Sequence, residues 1–381
     1  MNYDIAVIAG DGIGPEVTGQ AVKVLNSAVK RFGFSLKLNE LPYGANHYLK
    51  TGIILPEAAL SEIGAAKAVL LGAVGDPRVP MGPLEQELLL ALRFHFDLYL
   101  NLRPAKSFPN VKTPINTFPQ DKTLDLLVVR ENTEDFYMGL GGQGQGSFNS
   151  TLTAKRKLYS LECAVDLKTN PKIELAVGMG ILTAPAIRRI TGKACEMALD
   201  RGENRIHLAT KANALPQFYG FWNEQVNLAA KDYPTIKLIS MNIDNMCYQL
   251  PRAPLDFGVI LCPNLFGDIV SDLASSLIGG LGLSPSANIG DGVSMFEPVH
   301  GSAPDIAGTG RANPLAAILS VALMLKHLGE IEAAKAVEAA VTGYLQEGQS
   351  LPFEVGGEAT VEKVGQIIAQ RLEDELDPGV N

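Results

Sequence analysis

Repeated pairs of an apolar segment and a helical pattern constrain the fold more than any other feature of this sequence. In YDIAVIAGDGIGPEV (residues 3–17) an apolar run breaks at Gly10, and a helical pattern follows Pro15. Further strand-like segments occupy residues 68–77, 124–131, 173–180, 205–213, 236–244 and 257–264. Most of them precede a helical segment, which predicts an α/β protein with a largely parallel sheet of buried strands. In such folds ligands bind beyond the carboxyl ends of the strands.

Charge and composition argue against several classes of protein. The 381 residues carry a formal net charge of −9, whereas surfaces that bind nucleic acid or anionic membranes are usually basic. The start of the chain resembles no secretory signal, and no stretch reaches the ~18 uninterrupted apolar residues of a membrane span. Four cysteines without a CxxC pair fit reduced thiols; they are Cys163, Cys195, Cys247 and Cys262. We therefore expect a soluble, cytoplasmic protein.

Two regions depart from the strand and helix alternation. Residues 138–157 are rich in Gly, Gln and Ser and lack helical apolar spacing, which predicts a loop or an extended arm. Residues 314–329 and 330–348 are long helical patterns, and each ends in glycine.

The segment NLFGDIVSDL (264–273) places Asp268 and Asp272 four residues apart in a run that otherwise looks buried. Helical spacing puts both carboxylates on one face, where their mutual repulsion is unfavourable. A divalent cation such as Mg²⁺ or Mn²⁺ removes that repulsion, because it prefers carboxylate oxygens. Asp244 ends a predicted strand and is a third candidate ligand. The alternative is a helix whose aspartates reach solvent or pair with arginine.

Arginine, tyrosine and lysine form a second set of candidates. Arg93, Arg103 and Arg130 lie in or beside apolar segments, and guanidinium groups match carboxylates through paired hydrogen bonds. Three arginines in one cleft would suit a di- or tricarboxylate. Tyr137 and Lys211 are candidates for proton transfer near a metal. Each of these residues taken alone is more commonly structural.

Glycine-rich segments could let a ligand approach the backbone. GDGIG (10–14) follows a strand, but its GxGxG spacing differs from the GxGxxG of the Rossmann fingerprint, so this signal is weak. EPVHGSAPDIAGTGRANP (297–314) places His300, Asp305 and Asn313 among small residues. A plain surface loop is the alternative for this second segment.

Six segments together carry a resemblance to a known family. They are GDGIGPEV (10–17), LRPAK (102–106), RENTEDFY (130–137), TKAN (210–213), NLFGDIVSDLA (264–274) and FEPVHGSAPDIAGTGRANP (296–314). In this order and with these separations they resemble the metal-dependent β-decarboxylating dehydrogenases, which act on 3-isopropylmalate, isocitrate, homoisocitrate, tartrate or D-malate. The resemblance covers nearly the whole chain.

The resemblance implies a two-domain α/β fold that binds a dinucleotide without a Rossmann fold. A discontinuous first domain would comprise residues 1–104 and 255–381, and an inserted second domain, residues 105–254, would supply the dimer contact. The family resemblance also implies a homodimer with shared active sites, in which Lys211 and Asp244 enter the active site of the partner.

The same resemblance implies roles for the candidate residues. Arg93, Arg103 and Arg130 would bind the carboxylates of a malate-like substrate. Asp268 and Asp272, with Asp244 of the partner subunit, would hold Mg²⁺ or Mn²⁺. Lys211 would help to remove the hydroxyl proton, and Tyr137 would assist protonation of the enolate.

By the resemblance, the 297–314 segment would wrap the adenosine of NAD. The implied cofactor-binding residues are Glu297, His300, Gly301, Ser302, Ala303, Asp305, Ile306 and Asn313. Asp305 favours NAD, since a carboxylate accepts hydrogen bonds from ribose hydroxyls and repels a 2′-phosphate. Arg311 departs from the neutral residue of NAD-using isopropylmalate enzymes and leaves some use of NADP open.

Substrate choice rests on the helix that carries Arg93. Leu89 and Leu90 resemble the apolar pair that meets the isopropyl group of 3-isopropylmalate, and an unpaired carboxylate would be costly to bury there. Against this, Gln86 aligns best with the pocket glutamate of the family, although Glu85 or Glu87 could replace it after a small shift. RENTED is also closer to the motif of isocitrate, D-malate and tartrate enzymes. We therefore expect a 3-isopropylmalate enzyme of leucine biosynthesis, with D-malate or tartrate, then isocitrate or homoisocitrate, as alternatives. A catalytically silent relative would have lost a metal aspartate.

Overall fold

A computed structural model of the chain describes residues 2–113 and 122–374. The chain divides into two compact units. The first comprises Met1–Leu92, Leu102–Leu126 and Ser271–Asn381, and the second comprises Arg93–Asn101 and Leu127–Val270. The domain limits expected from the family resemblance (1–104 with 255–381, and 105–254) stay a prediction.

The described residues form strands and helices as follows. The strands are β1 (Asn2–Gly10), β2 (Ser35–Glu40), β3 (Ala68–Ala73), β4 (Leu100–Lys106), β5 (Asp125–Glu131), β6 (Asp135–Gln145), β7 (Ser147–Lys155), β8 (Ser160–Lys168), β9 (Glu174–Ile181), β10 (Arg205–Thr210), β11 (Lys237–Asn242), β12 (Val259–Cys262), β13 (Pro285–Ile289) and β14 (Ser294–Pro298). The helices are α1 (Gly14–Phe32), α2 (Ala45–Thr51), α3 (Glu57–Ala65), α4 (Ala91–His95), α5 (Ala184–Asp200), α6 (Pro216–Ala229), α7 (Ile243–Arg252), α8 (Asn264–Leu277), α9 (Leu315–His327), α10 (Ile331–Glu347) and α11 (Val361–Asp374).

The first unit is built on mostly parallel strands in the order β4–β13–β14–β3–β1–β2. β1 pairs in parallel with β2 and β3, and β14 pairs in parallel with β3 and antiparallel with β13. Every residue of β3 is buried, as expected for a strand covered by helices on both faces. α9 is buried along most of its length and packs against α1 and α10.

The helix that follows the GDGIG turn shows how sequence sets these elements. Pro15 stands in the first turn of α1, where its missing N–H costs no hydrogen bond, and Gly33 ends the helix at a φ of 73°. Apolar side chains recur every three or four residues along the buried face; they are Val17, Ala21, Val24, Leu25 and Ala28. Burying one of the larger side chains stabilises the fold by about 1.5–3 kcal/mol.

The second unit contains parallel strands in the order β11–β10–β12–β5. α5 and α6 pack on β10, and α7 packs on β10 and β11. Two antiparallel pairs, β6 with β9 and β7 with β8, complete it. α8 begins two residues after β12 and continues past Val270, the last residue of this unit.

Of the two structures expected for residues 138–157, the loop is wrong and the extended arm agrees with the structure, because most of these residues form the strands β6 and β7. Two further expectations about local structure are wrong. Residues 173–180 and 236–244 are not buried strands: β9 belongs to a two-stranded sheet, β11 is an edge strand, and both are half exposed. An edge strand or a two-stranded sheet leaves one face or one edge uncovered, which the composition of these segments does not reveal.

The expectation of reduced cysteines holds. All four cysteines are free thiols. Burial raises the pKa of Cys195 to about 11, which keeps that thiol protonated at neutral pH. Of the helices in the described ranges, none has the length and apolar content that crossing a membrane requires.

Candidate active site

Arg130 is the centre of a buried polar cluster in the second unit. It lies near the carboxyl end of β5 and is fully buried. Its Nε donates to Asn264 Oδ1 at 2.9 Å, and its Nη1 donates to Asp268 Oδ1 at 2.5 Å. The guanidinium carbon also lies 4.9 Å from the centre of the Tyr137 ring. Strand β5 and the first two turns of α8 therefore fix this guanidinium together.

Tyr137 completes the cluster from β6. Its hydroxyl donates to Asp268 Oδ2 at 2.6 Å, so each carboxylate oxygen of Asp268 accepts a bond from a different donor. The Asp268 side chain remains 36% exposed. The arrangement brings a cation, a carboxylate and a phenol together at a surface that solvent reaches.

The RENTED motif (residues 130–135) holds the start of α8 in place beside this cluster. Asp135 adopts a left-handed backbone conformation, with a φ of 64°, and its carboxylate accepts the Leu265 N–H at 2.9 Å. The Asn264 amide donates to the Glu134 carbonyl at 3.1 Å. These bonds attach the start of α8 to the segment that follows Arg130. A strained conformation at a non-glycine residue is typical of functional sites.

Glu131 and Glu134 of the same motif are buried acids. Burial raises the pKa of both carboxyl groups, and for Glu134, whose pKa is raised to about 7, the negative charge of Glu131 adds to the effect. Glu131 accepts bonds from the Thr133 N–H and hydroxyl, and Glu134 accepts bonds from the Thr183 N–H and hydroxyl. These carboxyls were not predicted from the sequence, because a charged motif usually lies on the surface.

Arg103 and Asp272 form a second contact, in the first unit. Arg103 lies in β4 and is buried, and its Nη1 donates to Ser271 Oγ at 2.7 Å. The same nitrogen lies 3.5 Å from Asp272 Oδ1. Asp272 is 55% exposed, so this carboxylate also faces solvent.

The expectation that Asp268 and Asp272 are buried is wrong. Both lie on α8, where Val270, Ala274 and Leu277 face the core and the aspartates occupy the more exposed side. Their carboxylate oxygens are hard donors that solvent ions can reach, which fits Mg²⁺ or Mn²⁺. Within the described ranges of one chain, no three His, Cys, Asp or Glu side chains cluster to hold a metal ion.

Lys211 and Asp244 are brought together in the second unit. Lys211 follows β10, and Asp244 lies in the first turn of α7 rather than at the end of the strand. Lys211 Nζ lies 2.5 Å from Asp244 Oδ1, and this hydrogen bond lowers the pKa of Asp244. Asp244 is 67% exposed, so a neighbouring molecule can reach the pair.

Arg93 and the leucine pair lie on one continuous helical segment. Leu89 and Leu90 are half-buried and end a π-helical turn, Glu85–Leu90, which α4 continues. Arg93 is buried in α4. The π-helical turn was not predicted; such turns occur frequently at functional sites.

A cavity of ≈ 310 Å³ lies in the first unit beside the segment that follows β14. Its lining residues are Ile13, Leu281, Gly282, His300, Ala303, Ile306, Arg311, Asn313, Phe353 and Glu354. Four predicted cofactor residues, His300, Ala303, Ile306 and Asn313, are among them. Sequence reasoning missed Leu281, Phe353 and Glu354, which are distant in the sequence and carry no motif.

The other four predicted cofactor residues lie outside the cavity lining. Glu297 is buried in β14 and accepts the Asn288 amide at 2.8 Å. Asp305 and Gly301 are exposed, and Ser302 is buried. The Ser302 carbonyl accepts the Ile13 N–H at 2.8 Å, and a Cβ added at Gly12 would lie 2.0 Å from that carbonyl oxygen. The GDGIG turn thus packs directly on the segment that lines the cavity.

The cavity suits part of a nucleotide. Its volume is at the lower end of the range for small-molecule sites. The Arg311 guanidinium lies 4.7 Å from the Phe353 ring centre, and Asn313 donates to Glu354 at 2.9 Å. Among the described residues no partner hydrogen-bonds the buried His300 Nε2, whereas His300 Nδ1 contacts the Gly301 carbonyl at 3.0 Å. Burial lowers the pKa of His300, which favours the neutral ring.

The fold and these clusters define an α/β protein with donors for a small carboxylated molecule and a cavity sized for part of a nucleotide. A family model for isocitrate/isopropylmalate dehydrogenase matches residues 4–368. The 3-isopropylmalate dehydrogenase of Thermobifida fusca is 40% identical over 97% of this chain and 98% of its own length. The 3-isopropylmalate dehydrogenase of Streptomyces griseus is 41% identical over 97% of this chain and 99% of its own length.

Solved structures give the same result. The isocitrate dehydrogenase of Methylococcus capsulatus matches with a TM-score of 0.83 and 33% identity, over 97% of this chain and 99% of that one. A β-decarboxylating dehydrogenase of Thermococcus kodakarensis matches with a TM-score of 0.74 and 35% identity, over 99% and 98%. The chain belongs to the isocitrate/isopropylmalate dehydrogenase family. The predicted family and fold class are confirmed.

Proposed function

We propose that this enzyme catalyses the NAD- and Mg²⁺- or Mn²⁺-dependent oxidative decarboxylation of 3-isopropylmalate to 4-methyl-2-oxopentanoate, a step of leucine biosynthesis. The observation that carries the proposal is the contact of Arg130 and Tyr137 with the two oxygens of Asp268. It joins a carboxylate-binding group, a metal-binding group and a proton donor. The similarity to enzymes named 3-isopropylmalate dehydrogenase supports the choice of substrate.

Arginines would bind and orient the substrate. Arg93, Arg103 and Arg130 are all buried, so their guanidinium groups interact with an anion in a medium of lower dielectric constant than water. Bidentate bonds to two carboxylates would fix the malate carbon skeleton for reaction.

Asp268, Asp272 and Asp244 of the partner subunit would hold the metal. When bound, the cation supplies Lewis-acid polarisation of the substrate hydroxyl and carbonyl oxygens. The bonds from Arg130 and Tyr137 keep the Asp268 carboxylate oriented before a cation arrives.

Lys211 and Tyr137 would move protons. Lys211 would help to remove the proton from the substrate hydroxyl as the hydride leaves for NAD. Tyr137 would assist protonation of the product carbon after CO₂ is lost. The hydroxyl of Tyr137 already donates a hydrogen bond, as a general acid must.

The ≈ 310 Å³ cavity would receive the adenosine of NAD. His300, Ala303, Ile306 and Asn313 would line it, and Glu297, Gly301, Ser302 and Asp305 would contact the rest of the cofactor or shape the segment. Exposed Asp305 would accept bonds from ribose hydroxyls and favour NAD over NADP. Arg311, which also lines the cavity, leaves a residual use of NADP open.

Leu89 and Leu90 would meet the isopropyl group, and both remain half-buried in the free chain. A second candidate is D-malate or tartrate, favoured by the RENTED motif around Arg130. In that case the leucines would close the pocket around a smaller substrate. Isocitrate and homoisocitrate are the third candidate substrates.

We further propose a cytoplasmic homodimer with shared active sites and the domain division expected from the family resemblance. The exposed Lys211 and Asp244 pair supports the sharing. The hairpin of β7 and β8 supports dimerisation, since an exposed two-stranded hairpin is marginally stable by itself.

The proposal is tested by incubating the purified protein with 3-isopropylmalate, NAD and Mn²⁺. We expect NADH and CO₂ in equal amounts, and no product when a chelator removes the metal. NADH without CO₂, or unchanged turnover in the chelator, would contradict it.

A further inference from the structure

Asn264 is a buried polar residue that the proposed reaction does not use. It opens α8 and is 1% exposed. Its side-chain oxygen accepts the Arg130 Nε–H at 2.9 Å, while its amide donates to the Glu134 carbonyl at 3.1 Å. A buried amide with both ends bonded has one orientation, because a flip would place donor against donor.

The bond to Nε determines the direction of the Arg130 head group. A guanidinium is planar, so a fixed Nε leaves its two terminal nitrogens with defined positions. One of them, Nη1, points to Asp268. Without the Asn264 acceptor, the Arg130 guanidinium could rotate about the bonds of its own side chain. Its Nη1 would then lose its alignment with Asp268.

Gly267 restricts the stem of the same arginine. A Cβ at Gly267 would lie 2.5 Å from Arg130 Cγ, so α8 approaches the arginine as closely as a backbone can. The stem is therefore held by van der Waals contact and the head by Asn264. Both constraints come from the first turn of α8, and Asp268 begins the next turn.

We propose that Asn264 is a positioning residue: it holds the Arg130 guanidinium in the plane that binds a substrate carboxylate and aligns Asp268. This inference rests on the proposed function, because it assumes that Arg130 binds substrate. It predicts an effect on the substrate and not on the nucleotide, since the cavity beside His300 contains no residue of this cluster.

The test uses the variants Asn264→Ala and Asn264→Asp. Calorimetry would measure the affinity of the metal-free and NAD-free protein for 3-isopropylmalate, and fluorescence would measure the affinity for NADH. Asn264→Ala should lose roughly 10- to 100-fold in substrate affinity and in kcat/KM, the range for a bond to a charged group. Asn264→Asp keeps the acceptor for Nε but loses the donor to the Glu134 carbonyl and adds a negative charge, so it should restore only part of the substrate affinity. NADH affinity should stay within about twofold in both.

Thr191→Ala serves as the control for a lost buried hydrogen bond. Thr191 is fully buried in α5, and its hydroxyl donates to the Ile187 carbonyl at 2.7 Å. This variant should keep the substrate affinity of the wild type. The inference is overturned if Asn264→Ala binds substrate as the wild type does, or if it loses substrate and NADH affinity equally.

Arg130→Lys separates this inference from the proposed function. If Arg130→Lys loses substrate affinity and Asn264→Ala does not, the positioning role is wrong and the proposed function stands. If the wild type and Arg130→Lys bind substrate equally, the proposed role of Arg130 is wrong, and the positioning role is wrong with it.

Discussion

Asp268 accepts a hydrogen bond on each of its two carboxylate oxygens. Arg130 Nη1 and Tyr137 Oη are the donors, at 2.5 and 2.6 Å. The carboxylate is thus oriented by groups that are themselves fixed, Arg130 by burial and Tyr137 by its strand. Preorganisation of this kind reduces the ordering that a bound cation or substrate must impose.

Substitution of Asp268 by asparagine tests its metal role. Asp268→Asn removes one negative charge and one strong oxygen donor, so Mn²⁺ affinity and turnover should fall by roughly 100-fold or more. NADH affinity should be unchanged. Titration of Mn²⁺ by calorimetry and kcat at limiting Mn²⁺ are the measurements, and unchanged turnover would disprove the metal assignment.

The pH dependence of stability should reveal buried Glu134. Its pKa is raised to about 7 from 4.5, so the folded state holds a proton that the unfolded state releases, and stability falls as pH rises from 4.5 to 7. Glu134→Gln cannot titrate. Its stability relative to the wild type should therefore increase from pH 5 to pH 8, by about 1.4 kcal/mol for each unit of pKa difference.

Urea denaturation at both pH values measures this difference. Glu57→Gln, at an exposed position in the first turn of α3, is the matched control and should show no such trend. A stability difference between Glu134→Gln and the wild type that is the same at pH 5 and pH 8 would mean that Glu134 is ionised throughout.

The sequence predicts the candidate site residues whose spacing along a helix puts them on one face. It does not predict residues whose contacts are with side chains far away in the sequence. The Asp268 and Asp272 pair is visible because the helical period places them on one face. Their exposure was misjudged, since the apolar pattern gives the period of a helix and not which polar residues border solvent. Asn264 after Pro263 looks like an ordinary helix start, and its bond to Arg130 spans 134 positions.

At the scale of elements, α8 connects the chemistry to the core. One side of the helix is apolar and packed, and the other carries the aspartates. Its close approach to β5 depends on Gly267, because any side chain there would meet the Arg130 stem.

A methyl group at Gly267 should therefore disturb both stability and substrate binding. Its Cβ would lie 2.5 Å from Arg130 Cγ, and these atoms cannot move without shifting the arginine. Gly267→Ala should cost about 1–3 kcal/mol of stability and raise the KM for substrate. Gly220→Ala in α6 meets nothing within 4 Å, so it should be neutral or stabilising by up to about 1 kcal/mol. Equal behaviour of the two variants in denaturation and kinetics would contradict this account.

The alternation of strand and helix was predictable because parallel strands covered on both faces are almost continuously apolar, as in β3. The antiparallel strands β6 and β7 were not, since their many Gly, Gln and Ser residues resemble those of a loop. β6 pairs with β9, which is distant in the sequence and leaves no local signal, whereas β7 and β8 form a hairpin.

At the scale of the whole molecule, the proposed sharing of active sites predicts complementation between inactive variants. Asp268→Asn and Lys211→Ala should each be nearly inactive alone. In a mixed dimer, one site would combine Asp268 from one chain with Lys211 from the other and would be intact. Random mixing in equal amounts should restore about 25% of wild-type activity, since half the dimers are mixed and each has one good site.

Co-refolding of the two purified variants, with each variant refolded alone as the control, measures the recovery. Activity that stays at the level of the separate variants would show that each site is built from a single chain.

The central claim is that this enzyme oxidatively decarboxylates a malate with an apolar substituent. The most direct test is kcat/KM for NADH formation with Mn²⁺ on 3-isopropylmalate, D-malate, tartrate, isocitrate and homoisocitrate. We expect a clear preference for 3-isopropylmalate, since burying its isopropyl group against Leu89 and Leu90 should contribute about 1.5–3 kcal/mol, a factor of roughly 10 to 150. Preference for D-malate or tartrate would mean that the leucines close the pocket around a small substrate. Preference for isocitrate would contradict the placement of these leucines at the substrate.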